Sequence, residues 1–137
     1  MPRSVPCVLI AEDDEVTLLD LDSTLKAAGY GTVLARDGVT ASLLCERERP
    51  EAVVLDVGLP RRSGFEVLDH LRRTGALRRT RVLMLTGCDA AADVGKALKL
   101  GADDYLLKPL DESRLLTRLQ RLFGKASKRD RAPIWID

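Results

Sequence analysis

The chain has 137 residues, about one domain's worth, with 45% hydrophobic and 31% charged residues and only 10 Gly and 6 Pro, which suits one buried core and excludes a collagen-like or disordered chain. Its 22 Lys and Arg nearly cancel 21 Asp and Glu, so a net charge of +1 argues against whole-chain attraction to nucleic acid or membranes and makes any functional charge local. Apolar runs such as residues 82–85 fall far short of the roughly 20 residues of a membrane helix, and Met1 to Pro6 contain no apolar signal core. The expectation is a cytoplasmic protein without membrane contact. Cys7, Cys45 and Cys88 are widely spaced and include no CxxC, the pattern of reduced thiols and not of a disulfide frame or zinc site.

In chain order, the apolar run at 7–11 predicts a strand. Leu18, Leu21, Leu25 and Ala28 follow at offsets of three, four and three, and Gly29 stops the helix they mark. A second strand at 32–34 leads to a helix at 40–47 with Asp37 as cap. A third strand at 52–55 precedes a helix at 64–73 capped by Ser63. The fourth strand, 82–86, is followed by a helix at 91–100 between Asp89 and Gly101, and the fifth, 105–107, by a helix at 112–123 between Asp111 and Gly124. The Val, Leu and Ile continuity of the first, third and fourth strands implies burial on both faces. Such βα alternation predicts a doubly wound parallel sheet between two helical layers, joined by right-handed crossovers. From Lys125 the chain is polar and basic, is broken by Pro133 and ends on Ile134-Trp135-Ile136. One domain is therefore expected over 1–124, with a tail or linker over 125–137.

In an open doubly wound sheet, ligands bind outside the carboxyl ends of the strands. The residues there are Glu12, Asp13 and Asp14 after the first strand, Asp56 after the third, Thr86 ending the fourth and Lys108 after the fifth. Gathered carboxylates repel one another unless a hard cation such as Mg²⁺ sits among them. A carboxylate is itself a possible nucleophile towards phosphorus, with Lys108 and the metal neutralising phosphoryl oxygens and the Thr86 hydroxyl donating to one. The residues point to a phosphoryl-accepting aspartate.

The strings VLIAEDDE, VVLDVGLPRRSGFEVL, VLMLTG and LGADDYLLKPL, in that order, resemble the receiver domain of two-component response regulators over residues 5–124. The resemblance implies a five-stranded flavodoxin-like sandwich of order 2-1-3-4-5. It implies that Asp56 accepts a phosphoryl group from a sensor histidine kinase and that Glu12, Asp13, Asp56 and the Gly58 carbonyl hold Mg²⁺. Pro60 and Gly64 would shape the next loop, and Lys108, before a usually cis Pro109, would bind phosphate. Thr86 and Tyr105 would be the switch pair, altering the face made by the fourth helix, fifth strand and fifth helix for a downstream effector domain or protein. Gly58, Ser63 and Cys88 depart from the residues usual in the family, and Gly58 and Cys88, which would flank the phosphate, bear on the phosphoryl lifetime. Asp104 and Arg118 stand where one charge pair of a homodimer across that face would form, but Arg114 and Val94 break another, so only weak self-association is expected.

Two other classes fit less well. A haloacid dehalogenase-type phosphohydrolase needs a second Asp two residues after the nucleophile, where this chain has Gly58. A nucleotide or flavin module needs glycines after the first strand, where this chain has Glu12 and Asp13. The basic residues Arg72, Arg73, Arg78, Arg79 and Arg81 lack interleaved aromatics and read as a solvated face, without direct nucleic-acid binding. His70, the single histidine, lies beside the apolar stripe Val67, Leu68 and Leu71 and is expected to face solvent.

Overall fold

A computed structural model describes residues 5–87 and 90–124. Five strands, β1 (Cys7–Ala11), β2 (Gly31–Ala35), β3 (Ala52–Asp56), β4 (Arg81–Thr86) and β5 (Asp104–Leu107), alternate with five helices, α1 (Glu15–Ala27), α2 (Gly38–Glu48), α3 (Gly64–Arg73), α4 (Ala90–Lys99) and α5 (Glu112–Gly124). The strands form one parallel sheet of order β2-β1-β3-β4-β5. This is the expected architecture.

Strand periodicity sorts the core onto the two faces. Leu9, Val53, Leu55, Val82 and Met84 point to one face, where Ala41, Cys45, Val67, Leu68, Leu71 and Ala97 of α2, α3 and α4 cover them. Val8, Ile10, Val54, Leu83, Leu85 and Leu106 point to the other, beneath Leu18, Leu21 and Leu25 of α1 and Leu115, Leu119 and Leu122 of α5. Tyr30 stacks on Phe123 at 5.6 Å between ring centres where α1 and α5 end. The unbroken apolar runs of β1, β3 and β4 are buried throughout, as central parallel strands require.

Capping sets where the helices begin. Asp14, Asp37 and Ser63 accept from the backbone N–H of Thr17, Thr40 and Glu66, and Glu66 completes a capping box by reaching back to Ser63. Each such cap is worth about 1 kcal/mol. Asp111 accepts from the amides of Ser113 and Arg114. Gly29 and Gly101 follow α1 and α4 with φ of 97° and 101°, the left-handed conformation that suits glycine at a helix stop.

Several local readings differ. α2 starts at Gly38, two residues before the expected 40–47 helix, because Asp37 caps it directly. β2 extends one residue further at each end than 32–34. A 3-10 turn at Ala76–Arg78, between α3 and β4, carries no periodic signal in so short a span. Cys7 and Cys45 are buried, and burial pushes the Cys45 thiol up to about 12, so it stays protonated and unreactive. The expected cap Asp89, the rim cysteine Cys88 and the tail from Lys125 lie outside the described residues. Among the described residues, no helix is long and apolar enough to cross a membrane.

Candidate functional site

Sheet register assembles the site. Ala11 pairs with Leu55, Asp56 with Leu85 and Thr86 with Leu107, so the strands end at nearly one level and the residues just beyond them share a rim. Strand order reverses beside β1, since the chain crosses from β1 to β2 on one side and continues through β3 on the other. The crevice outside β1 and β3 is the position at which such folds bind ligands.

Glu12, 1% exposed, and Asp56, 6% exposed, are buried carboxylates, whereas Asp13 faces solvent. One oxygen from each lies within 4.8 Å of the others. Ligand oxygens around an octahedral Mg²⁺ lie about 3 to 4.2 Å apart, so the three carboxylates are near enough to close on a hard divalent ion after side-chain adjustment. Lys108 reaches in from the end of β5, its Nζ 2.7 Å from Glu12 Oε1 and 3.3 Å from Asp56 Oδ1. Burial disfavours its charge, but the Glu12 hydrogen bond and the Asp56 and Glu12 charges outweigh that effect and raise its pKa above the ordinary 10.5. Lys108 is thus an ammonium throughout the neutral range. Its bond to Pro109 is cis.

The loop after β3 folds back onto its own strand. The Gly64 amide donates to the Val57 carbonyl at 2.9 Å, and a Cβ at Gly64 would stand 2.2 Å from the Asp56 carbonyl oxygen. Only glycine permits this approach. Gly58 is exposed, and a side chain begun there would start 3.9 Å from Asp56 Oδ2, in ordinary contact. Pro60 accepts from the Gly38 amide at 3.1 Å, tying this loop to the start of α2. A Cβ at Gly38 would meet the Arg62 carbonyl oxygen at 1.8 Å, a requirement with no motif to reveal it.

Asp14 caps α1 and leaves the carboxylate cluster to its neighbours; its Thr17 hydrogen bonds hold its carboxyl below the usual range. Thr86 is buried at the end of β4, and its hydroxyl donates to Asp93 Oδ2 at 3.2 Å. The sequence reading did not single out Asp93; the available signal was an acid in the first turn of α4, seven residues beyond Thr86. Tyr105 is half-buried against the α2, α3 and α4 face.

Arg118 Nη1 binds Asp104 of the same chain, at 2.9 Å and 3.1 Å from its two oxygens. The two residues expected to pair between copies thus already pair within one. His70 is half-buried, not fully solvent-facing, and its Nε2 lies 3.0 Å from Glu46 Oε1. In the basic stretch, Arg72 and Arg73 pair with Asp69 at 2.5 Å and 3.0 Å, and Arg72, Arg73, Arg78 and Arg79 are exposed.

A family model described as the response regulator receiver domain matches residues 8–120. The chain is similar to the response regulator MprA of Mycobacterium sp. (strain KMS), with 41% identity over 120 residues, which cover 88% of this chain and 51% of that protein. It therefore spans about half the length of this relative. The receiver domain of Francisella response regulator 1452 superposes with a TM-score of 0.81 at 30% identity, covering 87% of this chain and 97% of that one. The receiver domain of sensor histidine kinase PA1611 from Pseudomonas aeruginosa PAO1, whose structure has a magnesium ion coordinated in the active site cleft, superposes with a TM-score of 0.81 at 29% identity, covering 89% of this chain and 100% of that one.

Proposed function

The chain belongs to the response regulator receiver domain family, and from that membership we propose that Asp56 is its phosphoryl acceptor, with Glu12, Asp13, Asp56 and the Gly58 carbonyl as ligands of Mg²⁺ and Lys108 as the phosphate-binding cation. Receiver domains are signalling switches of two-component systems, not enzymes in the usual sense, and they interact with histidine kinases and effector domains. The observation that carries the reading is the meeting of Glu12, Asp13 and Asp56 within 4.8 Å beside the Lys108 ammonium, at the crevice of the sheet.

In this reading an Asp56 carboxylate oxygen attacks the phosphorus of a phosphohistidine on a sensor histidine kinase. The P–N bond breaks as the P–O bond forms, and the electron pair stays with the imidazole nitrogen. Bound Mg²⁺ supplies neutralisation of the phosphoryl oxygens. Lys108, 3.3 Å from Asp56 Oδ1, is placed to neutralise another. Because Gly58 carries no side chain over Asp56, water reaches the acyl phosphate, which hydrolyses slowly and resets the switch.

The Thr86 hydroxyl turns to the phosphoryl group, and Tyr105 moves further inward against the core it already touches. The α4-β5-α5 face changes accordingly and is read by an effector domain or protein, which in a longer regulator would be part of the same chain. Self-association across that face is weak, since Arg118 is held by its own Asp104 and exposed ion pairs contribute only about 0–1 kcal/mol. No direct nucleic-acid contact is assigned to this domain, in keeping with the engagement of Arg72 and Arg73 by Asp69.

Asp13 is the exposed member of the triad, so its removal tests the metal set without opening the core. Asp13→Ala should weaken Mg²⁺ binding, measured by calorimetry, by about tenfold or more, and acetyl phosphate labelling should then need correspondingly more Mg²⁺. Unchanged Mg²⁺ affinity in this variant contradicts the proposed ligand set.

A further inference from the structure

Thr86 carries the one switch hydroxyl on the rim, and a hydroxyl has a single proton to donate. In this structure that proton goes to Asp93 Oδ2 at 3.2 Å. A phosphoryl oxygen on Asp56 only accepts, so it competes with Asp93 for the same proton. The two hydrogen bonds exclude each other. An ionised acceptor makes the stronger bond, and Asp93 sits in the first turn of α4, where the helix dipole favours its charge.

We propose that Asp93 is a positioning residue: it holds the Thr86 hydroxyl in the unphosphorylated arrangement, and its release at phosphorylation frees the first turn of α4 from the end of β4. This rests on the reading of Asp56 as acceptor and deepens it. The phosphoryl group at Asp56 then acts on α4 directly, by removing the hydrogen bond that ties β4 to it, in addition to the space that Tyr105 fills. Removing Asp93 leaves the hydroxyl free to reorient, which raises the population of the arrangement that binds phosphoryl.

The test is a double-mutant cycle on the full chain, with beryllofluoride and Mg²⁺ as the phosphoryl mimic and binding read by calorimetry. Asp93→Ala should bind beryllofluoride about three- to tenfold more tightly than wild type, the change expected for one lost hydrogen bond. Asp93→Asn keeps a neutral acceptor for Thr86 and should fall between the two. In a Thr86→Ala background the Asp93 effect should vanish to within about a factor of two. An Asp93 effect of equal size in both backgrounds, or none with Thr86 present, overturns the proposal, since a role in the helix dipole alone does not depend on Thr86. Should Asp93→Ala not fold, the same cycle with Asp93→Asn decides. If wild type itself binds no beryllofluoride, the acceptor reading falls and this proposal with it, whereas wild-type binding with a failed cycle overturns the Asp93 role alone.

Discussion

Asp56→Asn is expected to abolish labelling by acetyl phosphate, a loss of at least about a hundredfold, because a carboxamide oxygen is a far weaker nucleophile than a carboxylate. The fold should survive. Asn matches Asp in size, and its carbonyl oxygen can still accept from the Lys108 ammonium, 3.3 Å from the carboxylate it replaces. The substitution also removes one of three negative charges whose oxygens lie within 4.8 Å of one another. Repulsion at that distance is worth a few kcal/mol before Lys108 offsets it. Stability from urea unfolding should therefore hold or rise, by up to about 1 kcal/mol. Wild-type labelling of Asp56→Asn would remove Asp56 from the acceptor role.

A large loss of stability at the site itself is expected from Gly64→Ala. Its Cβ would stand 2.2 Å from the Asp56 carbonyl oxygen and 2.8 Å from the Val57 Cα, both backbone atoms of the strand end that presents Asp56. Backbone cannot rotate aside as a side chain does, so the loop from Val57 to Ser63 must move away and give up the Gly64 amide bond to Val57. The expected cost is about 3 kcal/mol in urea unfolding, with slower labelling of the folded fraction as Asp56 is displaced. Gly58→Ala, whose Cβ would come no nearer than 3.9 Å to Asp56 Oδ2, is the control and should change stability by less than about 1 kcal/mol. Equal destabilisation by the two would contradict the close approach at Gly64.

Much of this fold is legible in the sequence because burial leaves a periodic mark. The runs at β1, β3 and β4 are apolar on both faces since α2, α3 and α4 cover one side and α1 and α5 the other. The helix starts are legible through Asp37 and Ser63, whose chemistry is local. Reading one residue past each strand then brings Glu12, Asp56 and Lys108 together, because parallel strands in register end at one level.

What escapes is tertiary. Gly38 looks like a weak helix former, yet it opens α2 because the Arg62 carbonyl leaves no room for a Cβ. Arg118 and Asp104 are rightly paired by charge, but spacing cannot say whether partners meet within one chain or across two. The direction of the Thr86 hydroxyl depends on where α4 sets down Asp93, which no strand-end rule predicts.

The central claim is that one side chain, Asp56, takes the phosphoryl group, and the most direct measurement locates the acyl phosphate in the chain. Borohydride reduces an aspartyl phosphate to homoserine, which peptide mass spectrometry reads at a single position. After treatment with acetyl phosphate and Mg²⁺, homoserine is predicted at position 56 and not at Asp13, and no 2-amino-5-hydroxypentanoic acid, the product from a glutamyl phosphate, is predicted at Glu12. A reduced Asp or Glu at any other position, or no homoserine at 56 in protein shown to bind Mg²⁺, would contradict the account.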